Sequence, residues 1–369
     1  MQRDRLFLPA MPITRFRRLA RGPALVIVLL TLLAVGLLTT LGLAYNGPVA
    51  AIVSSPGKGD LATYSQIVDD MRRGEPYYAA AHRELVAGHY GTRSVFNWRL
   101  PTLSWAWSVL PSNAWAKGVL FGWALVALGA AFLWLRTAAG LAAAILLVPA
   151  LLFNLASIVP NGAELLADVV AGVFVLLSAA AYGLKWRPAG LMAALIALSL
   201  KELAAPYAVV CLFLAWRGRR YGELVGWAAG LMLFACYFLW HYHMVGLHIA
   251  ATDIAYKDGW LQFGGLPFVL ATAGFNGLLL GRPLWITAVA LPLCLLGLAA
   301  WDGPAGDRVR LTVAAYLVVY LFVGKAFDVY WGALYTPLLM LGLPFVPRAL
   351  TDLAVALRAR PALTGPASP

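Results

Sequence analysis

The chain has 369 residues, 62% of them hydrophobic and 12% charged, with a mean hydropathy of +0.79. Soluble globular domains carry about 25% charged residues, so this chain cannot clothe its own surface in charge. The same composition excludes disorder, collagen, a coiled coil and a disulfide scaffold. The 28 Lys+Arg outnumber the 16 Asp+Glu, for a net charge of +12, and they stand in short clusters between apolar runs. That is positive-inside patterning and not a nucleic-acid surface.

Arg15, Arg17, Arg18 and Arg21 precede an apolar run over 24–44, read as a first span and not as a cleaved signal. The stretch 45–114 follows as a long extracytoplasmic loop, and loops of this length are usually functional. Within it, Asp60 opens an amphipathic helix with Leu61, Tyr64 and Val68 on one face. Gly74 ends that helix and Pro76 starts a second. Both are expected to lie along the bilayer surface. Further spans are expected over 115–135, 141–159, 165–184, 222–243, 283–301, 311–324 and 331–346.

The stretch 189–216 is interrupted by Lys201, Glu202 and Pro206, and basic residues at both ends (Lys185/Arg187 and Arg217/Arg219/Arg220) demand one side of the membrane. Two half-length helices that enter, turn and return satisfy both ends. Arg308/Arg310 and the tail from Arg348 to Arg360 are expected on that cytoplasmic side as well. The fold class is therefore all-α: one polytopic membrane domain over 1–369, of about ten helical segments. Both termini are placed in the cytoplasm of a cell bounded by this inner membrane. Cys211, Cys236 and Cys294 sit inside apolar runs and read as small hydrophobes. His241 and His243 have no Glu or Cys at ligand spacing, so no metal or cofactor is expected.

Ionisable residues at membrane depth are costly and mark function. Asp60, Glu164, Asp168, Lys201, Glu202, Lys325 and Asp328 all map to the outer face or outer half. Each also has a plainer reading. Asp60 after Gly59 serves as a helix cap, Lys201 and Glu202 make a broken helix tolerable, and Lys325 and Asp328 pair three apart on a helix.

The loop carries Gly59-Asp60-Leu61-Ala62-Thr63-Tyr64, then Arg73-Gly74-Glu75-Pro76-Tyr77-Tyr78, then Phe96-Asn97-Trp98-Arg99-Leu100-Pro101, then Leu110-Pro111. Pro160-Asn161-Gly162-Ala163-Glu164 and Leu200-Lys201-Glu202-Leu203-Ala204-Ala205-Pro206 follow in order. This series resembles the integral-membrane GT-C glycosyltransferases, in particular the bacterial polyprenyl-phosphate-mannose-dependent branch, over about residues 24–220. A single Asp60 stands where some relatives carry an acidic pair, which argues against a metal-dependent variant. Asn161-Gly162 replaces a Gly-Gln turn.

The resemblance implies transfer of a mannose-like hexose from a polyprenyl-phosphate donor to an extracytoplasmic glycan or lipid acceptor. It implies Asp60 as the general base. For the leaving phosphate the cations rank Arg99, Lys201, Arg93 and Lys325, Arg99 first because a guanidinium grips phosphate through two bonds. Tyr64, Tyr77 and Trp98 are expected to stack on sugar rings. Glu164, Glu202 and Asp328 are left to hydrogen-bond sugar or acceptor. Membrane lipids are the remaining partner, and nucleic acid is none. Two other functions stay open: a transporter without catalysis, which predicts two related halves, and a surface-polysaccharide polymerase or ligase using a lipid-diphosphate donor.

Overall fold

The computed structural model describes residues 13–45, 59–158 (152–158 as backbone), 162–255 and 259–358. Pro160 and Asn161 of the expected outer turn, and the tail from Arg360, lie outside the described residues. The described residues form fifteen α-helices in chain order: α1 Arg21–Ala44, α2 Asp60–Arg72, α3 Tyr77–Ala87, α4 Thr102–Ser108, α5 Asn113–Ala139, α6 Leu141–Ile158, α7 Ala167–Gly183 and α8 Arg187–Leu200. Then come α9 Ala205–Arg217, α10 Tyr221–His248, α11 Gly265–Ala273, α12 Leu284–Ala300, α13 Pro304–Phe322, α14 Thr336–Met340 and α15 Val346–Arg358. Among these residues no strand forms; Leu261 and Val323 make one isolated antiparallel bridge.

Among the described residues four helical runs are long and apolar enough to cross a membrane: α1, α5, α10 and Thr336–Arg358. The outer face of α1 exposes Leu25, Leu29, Leu30, Leu32 and Leu33. So wide an apolar surface has hydrocarbon as its natural solvent.

The centre of the bundle is α7, buried along nearly its whole length. Small residues let its neighbours close in. A Cβ on Gly172 would stand 2.1 Å from the carbonyl oxygen of Ala333. Glycine here lets the short 3-10 turn Val329–Leu334 lie against α7, which brings Tyr330 and Trp331 toward the helix's first turn.

The chain reverses between α8 and α9. Ser178 on α7 donates to the carbonyl of Gly190 on α8 and shares a hydrogen bond with Tyr207 on α9. Asp168, at the start of α7, faces Lys201 at the end of α8. So α8 runs antiparallel to α7 and α9 runs parallel to it, with the break at Lys201, whose backbone is extended (φ −149°).

The structure corrects several expectations. The apolar stretch 331–346 is not one continuous helix: the turn Val329–Leu334, α14 and a second turn Leu343–Phe345 divide it, and the helical run long enough to cross is shifted to Thr336–Arg358. Pro337 and Pro344 stand in the first turns of α14 and of Leu343–Phe345, where a missing backbone donor is tolerated. α11 was not foreseen, because its apolar run is far shorter than a span and is hemmed by Gly264, Gly265 and Gly274. α13 begins at Pro304, so Arg308 lies inside a helix and not in a loop. It is buried, donates to the Cys211 sulfur at 2.7 Å, and stacks 3.7 Å over the Tyr182 ring. Cys236 is exposed on α10.

Two smaller cores flank the bundle. At the loop end, Ile67, Tyr77, Tyr78, Leu85 and Trp98 pack with Val245 of α10. At the other end, amphipathic α15 packs on α1 and α12. There the buried carboxylate of Asp352 accepts from the backbone and the hydroxyl of Thr14, both at 2.9 Å.

Candidate functional site

Asp60 is the first residue of α2, reached through Gly59 at φ +84°, and no side chain caps this terminus. Its carboxylate accepts from the Tyr90 hydroxyl at 2.6 Å and from the Tyr330 hydroxyl at 3.2 Å. The Asp60 side chain is 32% exposed, so a third molecule has access. Burial pushes the Tyr64, Tyr90 and Tyr330 hydroxyls well above their ordinary value. They act as neutral hydrogen-bonding groups.

Arg99 sits between the 3-10 turn Val95–Asn97 and α4, with φ at +56°. A bulky side chain in the left-handed region is strained, and such strain persists only where the surroundings enforce it. Here the Tyr77 hydroxyl donates toward the carbonyls of Trp98 and Arg99. So held, the guanidinium donates from Nε to the Tyr64 hydroxyl at 2.8 Å and from Nη2 to the Tyr330 hydroxyl at 2.6 Å. Both rings also lie within cation–π range, at 5.2 and 5.7 Å. Nη2 is 3.8 Å from Asp60 Oδ2, and Nη1 is 3.7 Å from Asp168 Oδ2.

Asp168 continues the row to Lys201, whose Nζ is 3.9 Å from Asp168 Oδ1 and 3.1 Å from Glu202 Oε1. Asp60, Arg99, Asp168, Lys201 and Glu202 thus form a line of alternating charge drawn from four separate stretches of chain. At its Lys201 end opens a cavity of about 280 Å³, walled by Phe96, Leu203, Trp260, Leu261, Val323 and Trp331. Lys201 and Glu202 are the charged residues of that lining. Its walls are otherwise apolar, and the Trp260 and Trp331 rings stack at 5.8 Å.

Comparison with known proteins returns no match. No family model, no curated protein and no solved structure corresponds to this chain. Its functional reading rests on the site's own chemistry.

Among the expected site residues, Asp60, Tyr64, Arg99, Lys201 and Glu202 come together. Asp328 joins them: its Oδ1 lies 3.4 Å from the Tyr330 hydroxyl, and its Oδ2 accepts the Lys325 backbone N–H at 3.0 Å. Lys325 and Asp328 are therefore linked through a turn and not as a helical ion pair. Burial pushes the Asp328 carboxyl up to about 6. The Lys325 ammonium lies 5.3 Å from the centre of the Trp260 ring, at the cavity wall.

The others go elsewhere. Arg93 donates to the carbonyl of Ala251 at 3.0 Å. Tyr77 and Trp98 are buried in the loop core; Trp98 stacks on His82 and donates to the Thr92 carbonyl at 2.7 Å. Neither ring offers a face to a sugar, because packing the loop helices consumes both. Glu164 is buried too. Its carbonyl accepts from the Trp107 indole at 2.7 Å, while burial raises its carboxyl and Lys117 opposes that.

Sequence reasoning missed Tyr330 and Trp331 and gave Asp168 no role. Asp328-Val329-Tyr330-Trp331-Gly332, an acid and two aromatics before a glycine, was the available signal, masked by the apolar run that follows. Among the described residues no group of three or more His, Cys, Asp or Glu side chains is arranged to hold a metal.

Proposed function

We propose that this protein is a membrane glycosyltransferase of GT-C type, moving a hexose from a polyprenyl-phosphate donor to a glycan or lipid acceptor outside the cytoplasmic membrane. The observation that carries this reading is the charged row itself. An accessible carboxylate, Asp60, stands at one end, and the buried Lys201 ammonium, paired with Glu202 at the head of an apolar cavity, stands at the other. A soluble nucleotide donor needs no greasy cavity beside its phosphate site. A lipid-linked donor does.

In this reading Asp60 takes the proton of the acceptor hydroxyl, within hydrogen-bond reach. The freed oxygen bonds to the anomeric carbon of the sugar. The bond from that carbon to the phosphate oxygen breaks, and the electron pair leaves with the polyprenyl phosphate. Arg99 and Lys201 are the cations near enough to the row to stabilise that charge, in surroundings where each contact is stronger than in water. The first isoprene units lie in the cavity between Trp260, Leu261 and Val323. Tyr64 and Tyr330 hold Arg99 and are better placed to orient it than to stack on sugar.

The test is incubation of the purified protein with radiolabelled polyprenyl-phosphate hexoses, with Asp60→Asn alongside. Consumption by the wild type and none by the variant, with equal melting temperatures, is expected. Consumption of a lipid-diphosphate sugar instead would move the protein to the polymerase or ligase class. Full activity in Asp60→Asn would remove the base.

A further inference from the structure

Asp168 lies in the first turn of α7, where the helix dipole favours negative charge. It is 1% exposed and stands between two cations that it does not grip. Arg99 Nη1 is 3.7 Å from one oxygen and Lys201 Nζ is 3.9 Å from the other, both beyond hydrogen-bond range. Both oxygens are buried without a hydrogen-bond partner. Buried carboxylates normally gather donors. Here the donors face other groups: Arg99 makes its close contacts with Tyr64 and Tyr330, and Lys201 makes its own with Glu202. Asp168 therefore supplies charge between the cations without closing on either.

We propose that Asp168 is a positioning residue for a lipid-linked phosphate: it holds Arg99 and Lys201 at a set separation and, as a competing anion, limits how tightly they retain the phosphate after the sugar leaves. The proposal rests on the lipid-phosphate reading above. Its logic is the change in charge along the reaction. The donor is a phosphodiester with one negative charge. The departing monoester carries up to two, since its second pKa is about 6. Two cations alone would hold that product more tightly than the donor, and turnover would stall. A fixed carboxylate between them repels the more charged species more strongly.

The experiment uses the full chain in detergent, as wild type, Asp168→Asn and Asp168→Glu. Binding of polyprenyl monophosphate is measured by calorimetry, and transfer from a radiolabelled polyprenyl-phosphate hexose gives kcat, KM and product inhibition. Asp168→Asn should bind the monophosphate about tenfold tighter, the effect of removing one like charge from a desolvated site. It should also lower donor KM, lower kcat and sharpen product inhibition. Asp168→Glu keeps the charge on a longer arm and should bind as the wild type does while turning over more slowly.

A merely structural aspartate would give weaker binding instead. Unchanged or weaker binding in Asp168→Asn, with the wild type binding normally, overturns the proposal and leaves the lipid reading standing. A wild type that does not bind polyprenyl monophosphate overturns both. Should Asp168→Asn fail to fold, wild-type kcat or weakened binding in Asp168→Glu is the overturning result.

Discussion

Asp60 accepts from two phenols, has a guanidinium 3.8 Å away, and still keeps 32% of its side chain exposed. That combination separates it from Asp70, which also faces guanidinium groups but is 2% exposed and enclosed by Arg73 and Arg83. One can meet an incoming hydroxyl; the other is structural. Arg99 owes its place to geometry as much as charge, since two tyrosine hydroxyls accept from its planar fork. Lysine has one nitrogen and cannot reproduce that fork. Arg99→Lys should therefore raise the donor KM by about tenfold, roughly the loss of one charge-assisted contact, and steady-state kinetics on the lipid donor will read it.

Asp328 makes a pH prediction. Its folded value of about 6 lies above the ordinary 3.8, so the folded protein holds this proton where the unfolded chain has lost it. Stability is then highest below pH ~4 as far as this group is concerned, falls as pH rises toward about 6, and stays low above that. Asp328→Asn removes the dependence. At pH 7.5 it should be more stable than the wild type by on the order of 1–3 kcal/mol, with the gain vanishing near pH 4 in melting curves.

At the scale of elements, the site depends on two irregularities in otherwise apolar helices. One is the break at Lys201, which turns the α8–α9 pair and leaves a charged side chain at its tip. The other is the 3-10 turn Val329–Leu334 seated on Gly172. Gly172→Val would drive a side chain into the Ala333 carbonyl, which a Cβ alone already meets at 2.1 Å. Overpacking of this kind costs about 1–3 kcal/mol, and lifting the turn moves Tyr330 away from both Asp60 and Arg99. The variant should fold with a lower melting temperature and lose transfer more severely than stability alone explains. A cysteine at position 202 should be labelled by a membrane-impermeant thiol reagent from the side that carries the 45–114 loop.

For the whole molecule, α1 separates two packed ends. The N-terminal turn Arg15–Arg18 and α15 meet through Thr14 and Asp352 at one end. The loop helices and the charged row gather at the other. A helix of α1's length covers about 36 Å at 1.5 Å per residue, enough to cross the hydrocarbon core. Tags at the two termini should therefore be protected or digested together by protease added to sealed vesicles, and opposite to a tag inserted near Gly88. Protection of one terminus alone would contradict this arrangement.

Composition and hydropathy were sufficient to show an all-helical class with membrane-spanning character, and the helices α1, α5, α6, α7, α10 and α12 were legible because each is an apolar run, with α1, α5 and α10 long enough to cross. Lys201-Glu202 was legible as a break because charge inside such a run has no other local explanation. The division of 331–346 was not, since hydropathy averages over prolines and glycines that decide where backbone hydrogen bonds stop. Asp60 and Arg99 stood out by motif, yet their partners did not. Tyr90, Tyr330 and Asp168 reach them only through the packing of α2, α7 and the 3-10 turn. Period and composition report what each segment needs from its solvent. Which buried charge faces which is a property of contacts between distant segments, and only the tertiary structure decides it.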